Sequence, residues 1–128
     1  MKKSFRIALL IVMLILLCIA GIVLAESQVH VFQRLWDDII LDNRRIYLSC
    51  DKLPTVEIVE QAMAEHDDTI QAIEAVNPGH VEVMIDTILC PGRAALWIQY
   101  PSHQDRVAIE RLIGSDLFYG IPYRLQNY

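Results

Sequence analysis

The sequence predicts an α+β fold. An N-terminal hydrophobic helix and an amphipathic stalk helix precede a ferredoxin-like βαββαβ sandwich, in which two helices cover one face of a four-stranded antiparallel sheet. Three observations carry this expectation. An uncharged apolar run, Ile7 to Ala25, follows Lys2, Lys3 and Arg6. Apolar residues then recur at the three-four spacing of a helix as far as Ile40. Beyond Arg45, alternating and helical patterns succeed one another in the order β-α-β-β-α-β, the split βαβ pattern. The expected divisions are residues 1–25 as membrane anchor or signal peptide, 26–44 as stalk, and 45–128 as the extracytoplasmic domain.

The apolar run is 19 residues long. Signal-peptide cores are about 7–15 residues, whereas spanning helices need about 17–25, so length points to an anchor. Val23-Leu24-Ala25 has the small residue spacing that a signal peptidase accepts, which keeps a cleaved signal open. Cys18 lacks the preceding small residue of a lipidation site and reads as a cysteine in an apolar helix. In either case the basic residues stay in the cytoplasm by the positive-inside rule, and residues 26–128 lie outside it. The protein is thus expected to be a single-pass membrane protein held through residues 7–25, or else secreted.

All 16 acidic residues lie beyond Ala25, with 8 of the 11 basic ones, giving that part a formal charge of 8 − 16 = −8. Such a surface does not suit nucleic acid, whose phosphates require basic patches. It equally disfavours flat adhesion to anionic lipid.

The stalk, residues 27–43, carries a stripe of Val29, Phe32, Leu35, Trp36, Ile39 and Ile40, with Asp37, Asp38 and Asp42 largely off it. That stripe serves either as a partner seam or as the face that covers the domain's own core. "RIYLSC", Arg45 to Cys50, alternates and reads as the first strand. Thr55 then stands where a helix can start. Val59, Met63, Ile70 and Ile73, with His66 in the same row, extend that helix to about Val76, where Asn77-Pro78-Gly79 stops it. "HVEVMIDTIL" is the second strand, Cys90-Pro91-Gly92-Arg93 a turn, and "AALWIQY" the returning third strand. Ser102 and Asp105 form a capping box for a second helix that Gly114 ends. The tail "DLFYGIPYRLQNY" holds the last strand, where Pro122 requires an edge, a bulge or a strand end.

In a ferredoxin-like sheet, Cys50 and Cys90 end two parallel strands at one rim. An exported chain favours a disulfide between them. The rival readings are two plain thiols, if the intervening strand holds them apart, or reactive thiols. No Cys-x-x-Cys supports the last.

No metal or cofactor motif and no catalytic residue set is apparent. His66 lies among Glu65, Asp67 and Asp68, but neighbours on a helix point apart, so it reads as a half-buried helical histidine. His103 and Asp105 stand at a helix start, where capping accounts for the aspartate. The second candidate is the sheet face away from the helices, expected to present Tyr47, Met84, Trp97 and Phe118 to a partner, since interface hot spots favour aromatics. The stalk stripe could instead cover that face.

Three functions follow. The first is a non-catalytic, membrane-tethered binding or scaffold module with a protein partner or a second copy of itself. The second is a secreted inhibitor or chaperone-like module. The third is a small hydrolase-type enzyme using His66 or His103.

Overall fold

A computed structural model describes residues 2–128. The side chains of residues 2–4 and 26–29 lie outside that description, and with them the expected cytoplasmic charges Lys2 and Lys3 and the stripe residue Val29. The chain divides into two units, Met1–Trp36 and Asp37–Tyr128, so the folded domain begins ahead of residue 45.

The first unit is dominated by helix α1, Lys2–Val29. Within it the 21-residue stretch Phe5–Ala25 is long and apolar enough to cross a membrane, a criterion that a signal sequence also meets. The expected continuous stalk helix is absent. His30 takes a left-handed backbone (φ 51) and breaks the chain into α1 and a short α2, Val31–Leu35. A π-helical turn, Trp36–Ile40, then crosses from the first unit into the second.

The second unit is mixed α+β. Strand β1 (Glu82–Cys90) pairs antiparallel with β2 (Arg93–Tyr100), and β2 pairs parallel with β3 (Tyr123–Asn127). The sheet has three strands in the order β1-β2-β3. Helices α3 (Val56–Glu65) and α4 (Asp67–Glu74) precede it, and α5 (His103–Ile113) supplies the crossover that parallel pairing of β2 and β3 demands. Alternation builds the core. Ala94, Leu96, Ile98 and Tyr100 of β2, with Val83 of β1 and Tyr123 and Leu125 of β3, face Val59, Ile70, Ile73 and Ile109 of the helices. Each fully buried Leu or Ile there contributes about 1.5–3 kcal/mol.

Several expectations are met locally. Asp105 N donates to Ser102 Oγ at 3.2 Å, and Ser102 Oγ donates to Asp105 Oδ2 at 2.7 Å. Gly114 caps α5 in the left-handed region (φ 69). Pro122 directly precedes β3, where its carbonyl accepts from Leu96 N. The helix expected over residues 56–76 is instead split at His66 (φ −122, ψ 34). The His66 ring stacks on Tyr119, with centroids 3.4 Å apart.

The four-stranded antiparallel sheet and its ferredoxin-like order are not what the structure contains. Residues 45–50 form no strand. Only Arg44 bridges Leu125, at the outer edge of β3. Beyond it the chain crosses the sheet face opposite the helices, where Ile46 packs on Leu53, Cys90 and Ala95. The physical reason is charge and tethering. Arg44 is held at the edge by Tyr123 Oη (3.0 Å) and the Asp116 backbone carbonyl (3.0 Å). Arg45 is tied to Asp37, Nε to Oδ2, at 3.2 Å. A central strand would have to bury these groups between β2 and β3.

The expected disulfide is present, for a different reason than the one that suggested it. Cys50 and Cys90 are bonded with Cα atoms 5.7 Å apart. A strand lying between them would have set them two strand spacings apart, about 9.6 Å, beyond the reach of a disulfide. The bond closes because Cys50 is outside the sheet, in a 3-10 turn with Asp51 and Lys52. Pro54 and Thr55 then run beside the start of β2, ahead of the residues that pair with β3, where Ala94 N donates to the Pro54 carbonyl at 3.0 Å.

The bond closes a loop over a sequence separation of 40, worth about 4 kcal/mol in the loop-entropy model. Alkylation of the unreduced, denatured full chain is expected to label Cys18 alone of the three cysteines. After reduction all three should react, and the denaturation midpoint should fall accordingly. Three labels without reductant would refute the bond.

Candidate functional site

The most highly connected polar group of the domain is Arg106. Sequence reasoning passed over it, although it shares a helical row with Ile109 and Ile113. Its side chain is 8% exposed. Position 106 points inward with the apolar face of α5, and the guanidinium meets carboxylates from three positions. Nη1 donates to Asp42 Oδ1 at 3.0 Å, Nε to Glu110 Oε1 at 3.2 Å, and Nη2 pairs with Asp38 Oδ1. Nη1 also reaches the Asp38 backbone carbonyl at 3.2 Å. Burial works against the charged guanidinium, but these carboxylates outweigh it and raise the Arg106 pKa.

Asp42 is the hub on the other side. Its backbone is left-handed (φ 50), a conformation that Asp and Asn tolerate. Its Oδ1 lies 2.8 Å from His103 Nδ1, and its Oδ2 accepts from Asn127 Nδ2 at 3.2 Å. Partial burial pushes its pKa up, and the bonds from His103, Arg106 and Asn127 overcome that, so the carboxyl sits below the ordinary range. An ionised Asp42 makes His103 Nδ1 the donor. The Tyr100 hydroxyl donates to the Asp42 backbone carbonyl. Burial, then the Asp42 charge, raises the Tyr100 pKa and keeps that donor protonated.

Asp38, Asp42, His103, Arg106, Glu110 and Asn127 line an open groove of about 740 Å³. Its acids share Arg106 and His103 as partners, and the Ser102 hydroxyl in the lining is turned to Asp105 as the cap of α5. Among the described residues no group of three or more His, Cys, Asp or Glu is placed to hold a metal ion. The arrangement is a clamp: it fixes residues 38–42 onto α5 and β3.

The clamp also decides what the neighbouring stripe does. Asp37 is 3% exposed and accepts from the Tyr47 hydroxyl at 2.7 Å. All three acids of residues 37–42 are thus bonded within the domain. Ile39 and Ile40, between them, are 68% and 59% exposed. Phe32, Leu35 and Trp36 of the first unit are exposed too. Ordinarily the apolar side of an amphipathic segment packs and the charged side is solvated. Between Asp37 and Asp42 the pattern is mixed: Asp37 is buried, while Ile39 and Ile40 are exposed together with Asp38, whose side chain is 56% exposed.

The expected partner face is only partly there. Met84 and Trp97 are register partners on the side away from the helices, both half-buried. The Arg124 guanidinium lies 4.1 Å from the Trp97 ring centroid, a cation–π contact. Arg124 Nε also reaches Asp86 Oδ2 at 2.6 Å, across Ala95, which pairs with Asp86 and leaves room for it. Tyr47 is half-buried and engaged by Asp37.

Phe118 does not belong to that face. It is fully buried in the core. Residues 118–121 form a tight turn with φ 47 at Tyr119 and φ 89 at Gly120, the type I′ pattern. The turn places Phe118 on the helix side, edge-on to His66. His66 and His103 are far from forming one site: the first stacks on Tyr119, the second pairs with Asp42.

No protein-family model, curated protein or solved structure matches this chain.

Arg106→Ala removes a buried partner from three carboxylates. Because Asp38 is largely exposed, its share is screened, and the loss in unfolding free energy should be about 2–3 kcal/mol in urea titrations. A loss below about 0.5 kcal/mol would mean that the clamp does not hold the segment.

Asp42 has a lowered pKa in the folded state. Its contribution is therefore complete above the unfolded value of about 3.9 and disappears as pH falls through the lower folded value. Asp42→Asn keeps the left-handed backbone but not the charge. It should lower stability at pH 7 and flatten the pH dependence below about pH 4. An unchanged acid limb in Asp42→Asn would refute the assignment.

Proposed function

We propose that this chain is a non-catalytic, membrane-tethered binding or scaffold module whose domain, residues 37–128, works outside the cytoplasm. The observation that carries this reading is the Cys50–Cys90 disulfide in a domain that follows an apolar helix of membrane-spanning length. Disulfides persist in oxidising compartments and are rare where glutathione keeps thiols reduced. A small domain also gains from such a staple, because its core is modest.

The binding half of the proposal rests on what is left unsatisfied at the surface. Met84 and Trp97, register partners and both half-buried, offer a flexible thioether and an aromatic, with the Arg124 guanidinium lying over the indole. Ile88, at the irregular end of edge strand β1, is 84% exposed. An enzymatic role draws less support, since His66 is taken up by stacking and His103 by its bond to Asp42. An inhibitor presenting an extended tail draws less as well, since Tyr123–Asn127 are paired into the sheet.

A secreted module with the same disulfide differs by one cut after Ala25. Full-length protein expressed in its host should stay with membranes through an alkaline wash, and protease added from the non-cytoplasmic side should digest its domain. A soluble species beginning at Glu26 would replace the tethered reading with the secreted one. In mild detergent the protein should co-purify with a stoichiometric partner or as an oligomer. Trp97→Ala should weaken that association while the domain still unfolds cooperatively in urea. A monomer with nothing bound would overturn the scaffold reading.

A further inference from the structure

We propose that the segment after the apolar helix, Val31–Trp36, lies in the interface of the lipid bilayer with Trp36 as its anchor. This rests on the reading of Phe5–Ala25 as a membrane anchor. Three observations lead to it.

The first is position. His30 is five residues past Ala25, about 7.5 Å of helix. That is about the depth of one headgroup layer, from a bilayer about 40–45 Å thick with a core of about 30 Å. The left-handed backbone at His30 falls at this level and ends the helix there. The chain is released from the line of the span where the hydrocarbon has given way to headgroups.

The second is exposure. Val31, Leu35 and Trp36 of the first unit are 46%, 49% and 60% exposed. Val31–Leu35 carries no acidic residue, so no carboxylate of that helix opposes insertion beside lipid.

The third is residue type. Interfacial segments carry Trp, Phe and Leu on the buried side and sink about 5–10 Å into the headgroup boundary. Trp is enriched at that level because its indole is apolar with one polar edge. The occupant is therefore a lipid surface, continuous with the lipid around the span. It need not be anionic, since apolar burial supplies the attraction.

The test uses full-length protein in phosphatidylcholine nanodiscs. The chain has two tryptophans, Trp36 and Trp97. The difference between wild type and Trp36→Phe isolates the Trp36 signal without altering Trp97. A cooperative urea transition with the wild-type midpoint confirms that the variant is folded. The Trp36 emission should be blue-shifted and shielded from aqueous acrylamide. Lipid brominated near the headgroup end of its chains should quench it, more than lipid brominated near the methyl end. Acrylamide access with no quenching by brominated lipid overturns the proposal. So does shielding from both quenchers with cross-linked pairs, which would assign the surface to a second copy of the chain. Leu14→Trp in the Trp36→Phe background reports on the anchor. Its quenching by deeply brominated lipid, with Trp36 unquenched, overturns the interfacial segment alone. Absence of both overturns the anchor and the interfacial segment together.

Discussion

The domain's entry depends on one buried guanidinium. Arg106 draws in Asp38 and Asp42 from residues before the sheet and Glu110 from its own helix. A lone buried arginine would be costly, and three solvated aspartates would leave residues 37–42 free to adopt an ordinary helix. Pairing resolves both problems at once. It also forces the chain through Asp42 in a left-handed turn. That turn leads to Arg44 at the edge of β3 and so fixes where the following residues can run. The sheet's second face is covered by the 46–53 segment because its start is pinned by Arg44 and its end by Cys50.

The two faces of the sheet differ accordingly. The helix side is closed by large aliphatic and aromatic side chains. The other is covered at the hairpin end by Ile46, Leu53 and the disulfide, and bridged farther along by Arg124 lying over Trp97 to reach Asp86. Arg124 serves twice, as the counter-ion of a carboxylate with no exposed surface and as a lid on an indole. A parallel β3 makes this possible, because Arg124 then stands beside Trp97 in register.

Much of the local structure was legible in the sequence. Pro91-Gly92 marks the hairpin, Ser102 and Gly114 bracket α5, and period-two alternation identifies β1 and β2. These features depend on residues close in the chain. "RIYLSC" was legible as extended and not as unpaired, because strand propensity says nothing about which edge is vacant. β3 matches β2 by placing Tyr123 and Leu125 inward, and that match is a non-local fact. The Cys50–Cys90 bond was foreseen from compartment and count, while the topology used to justify it would have kept the cysteines apart. Phe118 was misplaced because a positive φ at Tyr119, a non-glycine residue, is not predictable from pattern. Arg106 left a trace that was readable: an arginine in the same helical row as Ile109 and Ile113, with a glutamate four residues on. The acids that answer it, at positions 38 and 42, have the same four-residue spacing.

The clamp has a kinetic meaning as well. Asp38 and Asp42 meet Arg106 across sequence separations of 68 and 64, and Asn43 holds Asn127 across 84. Contacts of such separation form late, since loop closure must precede them. During synthesis, residues 37–43 emerge long before α5 and β3 exist to receive them. Their aspartates remain hydrated through that interval, and the turn at Asp42 has nothing to hold it. The joint next to the apolar helix is thus the last part of the domain to be completed, and the chain behind it must fold first.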